Sequence, residues 1–99
     1  MGKPHEQLEA WKFAMQLVKA VYQMTSAFPA EERYGLAQQM RRAAVSIPSN
    51  IAEGAGRNGS KEFLNFVGIS RGSLAELETQ LELAVMLGFA VPDHPAFDL

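Results

Sequence analysis

The residues best equipped for chemistry in this chain are cations. Arg41 and Arg42 stand side by side, and Arg57 and Lys61 flank a glycine-rich turn. Guanidinium and ammonium groups hold phosphate through charge-assisted hydrogen bonds. A helix opening after the turn would add free backbone donors and the positive end of its dipole. Arg41, Arg42, Arg57 and Lys61 are therefore the candidate phosphate contacts, and the plainer reading is a solvated basic corner. The turn itself, Gly54-Ala55-Gly56-Arg57-Asn58-Gly59, has the form G-x-G-x-x-G. A dinucleotide fingerprint needs a strand before it and a βαβ unit around it. The spacing here puts a helix before it. Gly59-Ser60-Lys61 also runs in the wrong order for a phosphate loop. A helix–helix turn is expected, not a nucleotide-cofactor site.

A second constellation is polar. Asn50 and Glu53 follow Pro48, and Arg71 and Ser73 lie midway along a later apolar pattern. The expectation is that Glu53 or Asn50 meets Arg71 across two antiparallel helices. Fixing helix register is the plain purpose of such a cluster, and catalysis is the sharper one.

Other chemistry finds little footing. The two histidines, His5 and His94, lie near the termini, and no H-E-x-x-H or Glu-x-x-His pattern exists, so neither a zinc-protease nor a di-iron signature is present. Zero cysteines exclude disulfides, thiolate metal sites and a thiol nucleophile. Ser46, Ser49, Ser60, Ser70 and Ser73 have no nucleophile elbow. Glu78 and Glu82, one turn apart, read as solvated like charges. The expectation is a non-enzymatic protein with no metal, no cofactor and no small-molecule substrate.

The elements that must position these groups are helical. From His5 to Phe28, Leu8, Trp11, Met15, Val18, Tyr22 and Thr25 recur at helical spacing. A second stripe, Ala14, Leu17, Val21, Met24 and Phe28, lies about 100° away, which predicts neighbours on two sides. Phe28-Pro29 ends this helix, since the residue before proline avoids the α region. A second helix is expected to start between Pro29 and Tyr34, with Leu36, Met40, Ala43, Ile47 and Ile51 on its face. Pro48 either stops it or kinks it. The face keeps register across Pro48, which favours a kinked continuous helix. Ser60 is the expected cap of a third helix, with Phe63, Val67, Ser70, Leu74, Leu77, Leu81 and Ala84 along one side and Gly88 as its stop. Another helix is expected to start at Asp93.

Length and charge bound the rest. Ninety-nine residues allow one domain, read as 1–99. Hydrophobic residues make up 47%, a surplus that in a small chain points to a partner. No apolar run reaches the roughly 18 residues of a membrane helix, and no signal core follows Met1, so a cytoplasmic protein without membrane contact is expected. The net charge of −2 hides an asymmetry. Residues 33–71 carry six cations (Arg33, Arg41, Arg42, Arg57, Lys61 and Arg71) against Glu53 and Glu62, whereas residues 72–99 carry five acids and no cation. Such a split serves a phosphate-binding face, or pairs basic and acidic faces of neighbouring subunits.

Three runs carry a family resemblance. They are Glu32-Arg33-Tyr34-Gly35-Leu36, then Arg41-Arg42-Ala43-Ala44-Val45-Ser46-Ile47-Pro48-Ser49-Asn50-Ile51-Ala52-Glu53-Gly54, then Arg71-Gly72-Ser73-Leu74-Ala75-Glu76-Leu77-Glu78-Thr79-Gln80-Leu81. Trp11-Lys12 and Phe28-Pro29 fit as well. Over roughly residues 8–90 the chain resembles the four-helix-bundle family, also called the 23S ribosomal RNA intervening-sequence proteins. The resemblance implies an all-α, up-down antiparallel bundle, a second helix kinked at Pro48, and assembly into a ring, typically a pentamer. It implies a bacterial protein of poorly defined role, an assembly factor or adaptor with RNA or a nucleic-acid enzyme as partner. A purely protein–protein adaptor is the alternative. The related accessory variability determinant of diversity-generating retroelements binds a reverse transcriptase and RNA, but is strongly basic where this chain is mildly acidic. The family carries a fourth helix after its Gly-Phe turn. Leu99 follows that turn closely, so a truncated or missing fourth helix is expected, with its seat on the first three left open.

Overall fold

Alanines decide the centre of the molecule. In the computed structural model, which describes residues 2–92, the helix Leu36–Ala55 (α2) buries Ala37, Met40, Ala43, Ala44, Ile47 and Ile51. Small side chains on two sides let a helix approach two neighbours closely. α2 accordingly packs against both Glu9–Ser26 (α1) and Ser60–Met86 (α3), while α1 and α3 barely meet. Short 3-10 segments cover Pro4–Gln7 and Ala30–Glu32, and no strand occurs among the described residues. The all-α expectation holds. Both pairs are antiparallel: Ile47 lies against Ser70 but Gly54 against Phe63 and Phe66, and Arg41 lies against Thr25 near the end of α1. The long axis measures 44 Å, close to the ~40 Å of α3 at 1.5 Å per residue.

The helix ends follow local chemistry, with some departures from expectation. α1 begins at Glu9 and not His5, because Pro4–Gln7 turns as a separate 3-10 segment. α2 begins at Leu36, later than the Pro29–Tyr34 window. A 3-10 turn takes up Ala30–Glu32, and Glu32 Oε1 accepts the Leu36 N–H at 3.1 Å, meeting one of the orphan donors of a helix start. Gly59, at φ +99°, is the cap residue of α3, and Ser60 is its first helical residue with no side-chain capping bond. α2 runs unbroken through Pro48, as the in-register face implies. α3 closes as expected at Gly88, whose φ of +82° supports a Schellman turn. Phe89 N–H reaches Ala84 O at 2.8 Å, Gly88 N–H reaches Val85 O at 3.0 Å, and the Phe89 ring packs 5.4 Å from that of Phe28. The end of α3 is thereby fastened to the end of α1. The expected helix start at Asp93 lies outside the described residues.

Of the two stripes on α1, the one formed by Ala14, Leu17, Val21, Met24 and Phe28 is buried. In the other, Thr25 is buried and Trp11 and Val18 half-buried, but Met15 and Tyr22 remain 47% and 43% exposed. The second neighbour inferred for that stripe is not α3. Trp11, Met15 and Val18 instead border a shallow apolar furrow with Val45, Pro48 and Ala52 of α2. Between α1 and α3 a wider apolar groove of about 350 Å³ stands open, with Leu8, Phe13 and Leu17 on one wall and Phe63, Val67 and Leu74 on the other. Phe13 is 59% exposed there. An open face of this kind is compatible with the missing fourth helix that was expected.

Candidate functional site

The four candidate phosphate contacts fall into two groups. Arg41 and Arg42 sit in the first half of α2. Arg57 lies in the α2–α3 turn and Lys61 in the first turn of α3, about 20 Å away along the axis of α2. Arg57 is engaged locally, 3.9 Å from the Glu53 carboxylate and 5.2 Å above the Phe66 ring. Lys61 is exposed. The helical context of Gly54–Gly59 leaves the strand–turn–helix of a dinucleotide site unbuilt.

Around Arg41 and Arg42 the structure builds more than the spacing suggested. The 3-10 turn after α1 brings Arg33 and Tyr34 back beside α2. Together with Tyr22 of α1 and Gln38, Val45 and Ser46 of α2 they line one cleft of about 570 Å³. Small-molecule sites span roughly 300–1,000 Å³. None of the residues lining it is acidic. Among the described residues none of its three arginines forms a salt bridge.

Arg41 is fixed in place. The Thr25 hydroxyl, buried at 3% exposure, donates to Val21 O at 2.8 Å and accepts the Arg41 Nε–H at 2.8 Å. The guanidinium carbon lies 4.6 Å above the Tyr22 ring, a cation–π distance. Only Nε is committed, so the terminal nitrogens keep their N–H bonds for a ligand. Arg33 and Arg42 are exposed, and Tyr34 is 81% exposed. A guanidinium held by its inner nitrogen, with two exposed ones beside it, suits the multidentate recognition of a phosphate group.

Sequence reasoning missed Arg33, Tyr34, Tyr22 and Thr25 as members of this site. Arg33 was visible as part of the basic segment. Its meeting with Arg41 depends on how tightly the chain turns after Pro29, which periodicity does not encode.

The polar cluster differs from its expected form. Arg71 meets neither Glu53 nor Asn50; it borders the apolar groove between α1 and α3. Glu53 turns to Arg57 in the turn that follows its own helix. Asn50 donates to Ser46 O at 2.8 Å and to Ser46 Oγ at 2.9 Å, and Ser46 Oγ lies 2.8 Å from Ser73 Oγ. Asn50 and Ser73 are thus joined through Ser46, and the link between α2 and α3 is made by hydroxyls instead of an ion pair. A long arginine near an apolar stripe can swing its charge to the rim, whereas a serine cannot leave the interface.

No described helix is long and apolar enough to cross a membrane. Among the described residues no three His, Asp or Glu side chains gather as a metal site. No curated protein matches the chain. A family model described as 23S rRNA-intervening sequence protein matches residues 6–95, a span that takes in all three helices, the arginine cleft and the serine link. The chain belongs to the 23S rRNA-intervening sequence protein family.

Proposed function

We propose that this chain is a non-enzymatic, cytoplasmic helical bundle that assembles with copies of itself, in a ring of five as its family resemblance implies, and acts as an adaptor contacting RNA. The observation that carries the RNA contact is the convergence of Arg33, Arg41 and Arg42 on one cleft lined by no acidic residue. Phosphate neutralisation by arginine is the dominant and salt-sensitive part of nucleic-acid affinity. A net charge of −2 is no obstacle, because no acidic residue lines the cleft, and Glu76, Glu78 and Glu82 are exposed on α3. The open apolar groove between α1 and α3 supports self-association, since large exposed apolar patches mark interaction surfaces.

RNA binding measured against salt tests the first half. Each phosphate contact contributes about −0.7 to the slope of log affinity on log salt for a single strand, so three arginines predict a slope near −2. An assembled protein that binds no RNA at low salt overturns the contact. Light scattering tests the second half, and a clean monomer overturns assembly. A second reading keeps the assembly but gives the basic cleft to a protein, pairing it with the acidic 72–99 segment of a neighbouring copy. The exposed glutamates of α3 favour it. Under that reading salt dissociates the oligomer and RNA does not compete.

A further inference from the structure

We infer that the Arg33–Arg41–Arg42 cleft takes an unpaired nucleotide, with a base stacked on Tyr34 and the adjoining phosphates held by the arginines, so that it selects single strands over duplexes. This rests on the proposed RNA contact and sharpens it. A cleft that read only a phosphate backbone would need cations alone. This one places Tyr34 among them, 81% exposed. The fold gains almost no burial from that ring.

An aromatic face at a basic cleft has one use that a duplex cannot meet. In a duplex the faces of the bases are already stacked on one another, and a protein reaches their edges and the backbone. An unpaired base offers its face to an aromatic side chain, and every base has one. The two tyrosines divide the work. Tyr22 lies beneath the Arg41 guanidinium at 4.6 Å and, with Thr25, holds that cation still. Tyr34 has no such engagement and is free for the ligand. The shared chemistry is an unpaired nucleotide, whether ribose or deoxyribose.

Fluorescence anisotropy on the full chain tests this with three labelled probes of one sequence. They are a single-stranded RNA and a single-stranded DNA of about 10 nucleotides, within the usual site sizes, and the RNA duplex. Either single strand should bind at least about tenfold more tightly than the duplex, and the better of the two identifies the sugar. Tyr34→Ala should weaken single-strand binding by roughly 5- to 100-fold, the range that stacking of one base commands. It should leave the salt slope and the thermal melt unchanged. Tyr34→Phe should retain the binding. Arg42→Gln should reduce the salt slope by about 0.7. Duplex binding as tight as single-strand binding, or a Tyr34→Ala protein that binds like wild type, overturns the inference while the RNA contact stands. Absence of binding to every probe overturns both.

Discussion

Ser70 Oγ donates to the carbonyl oxygen of Ile47 at 2.9 Å across the α2–α3 contact, and Ser70 is only 4% exposed. Ile47 immediately precedes Pro48, where the α2 hydrogen-bond ladder loses a donor. Two more side chains attend the same stretch. Ser49 Oγ donates to Val45 O at 2.7 Å, and Asn50 Nδ2 to Ser46 O at 2.8 Å. Three consecutive carbonyls before the proline therefore receive a side-chain donor. A proline inside a helix costs about 3 kcal/mol or more; the carbonyl that Pro48 leaves without its N–H donor is that of Ala44, and the three side-chain bonds serve the carbonyls between it and the proline. Ser70 is the one that comes from another helix, so it also sets how α3 is rotated against α2. Ser70→Ala should lower stability by about 1 kcal/mol, the usual net value of an intramolecular hydrogen bond, read as a lower urea midpoint at unchanged slope. A Ser70→Ala protein with wild-type stability would show that the bond contributes nothing net.

Gly54 and Gly68 make a paired prediction of opposite sign. A Cβ on Gly54 would stand 2.8 Å from Phe66 Cβ and 3.2 Å from Phe63 O. α3 comes into the space a Gly54 side chain would occupy. Gly54→Ala should push the helices apart and cost about 1–3 kcal/mol, as overpacking does. A Cβ on Gly68, within α3, meets nothing within 4 Å. Gly68→Ala should stabilise by roughly 0.5–1 kcal/mol through helix propensity alone. Thermal melts of the two variants check both signs, and stabilisation by Gly54→Ala would contradict the close approach.

Much of this fold is legible in the sequence, for definite reasons. The seven-residue pattern from Phe63 to Ala84 fixes α3, and Gly88 marks its end because an αL residue there needs no Cβ. The in-register face across Pro48 is a statement about geometry, and α2 obeys it. Partner choice is not legible in the same way. Asn50 and Ser73 are joined through Ser46, whereas Glu53 and Arg71 do not meet them; which residues touch depends on helix rotation, and a few tens of degrees send Arg71 to the groove and leave Ser46 facing Ser73. The two stripes of α1 are equal on spacing and both are expected to find a neighbour, but packing against the alanines of α2 buries one and leaves Met15 and Tyr22 of the other exposed. The cleft escaped for a third reason. It joins residues of α1, a loop and α2, and loop paths carry no period.

The start of α2 makes a third prediction. Gly35 at the cap position has no side chain to offer, and Glu32 supplies the acceptor for Leu36 N–H at 3.1 Å. Its carboxylate also faces the positive end of the helix dipole. Glu32→Ala should cost about 0.5–2 kcal/mol, the range for loss of a helix cap, and Glu32→Gln less, since the amide oxygen still accepts. Because Arg33 and Tyr34 lie in the segment that Glu32 tethers, Glu32→Ala should also weaken single-strand binding at a temperature where the protein remains folded. Wild-type affinity in that variant would separate the cap from the cleft.

The division of the four basic candidates makes the last prediction. Arg42 is exposed in a cleft that no acidic residue lines, whereas Arg57 sits 3.9 Å from Glu53 and over Phe66 at the far end of α2. A ligand held at the cleft gains from Arg42 and little from Arg57. Arg42→Gln should therefore reduce RNA affinity several-fold at low salt, with the loss shrinking as salt rises, and Arg57→Gln should leave affinity within about twofold. Neither change should move stability by more than about 0.5 kcal/mol, because exposed charges contribute little to folding. Equal losses from the two substitutions would mean that the strand runs about 20 Å along α2, from Arg42 to the turn, and that the turn belongs to the site after all. A loss confined to Arg57→Gln would move the site to the α2–α3 turn and leave the arginine cleft without a role in binding.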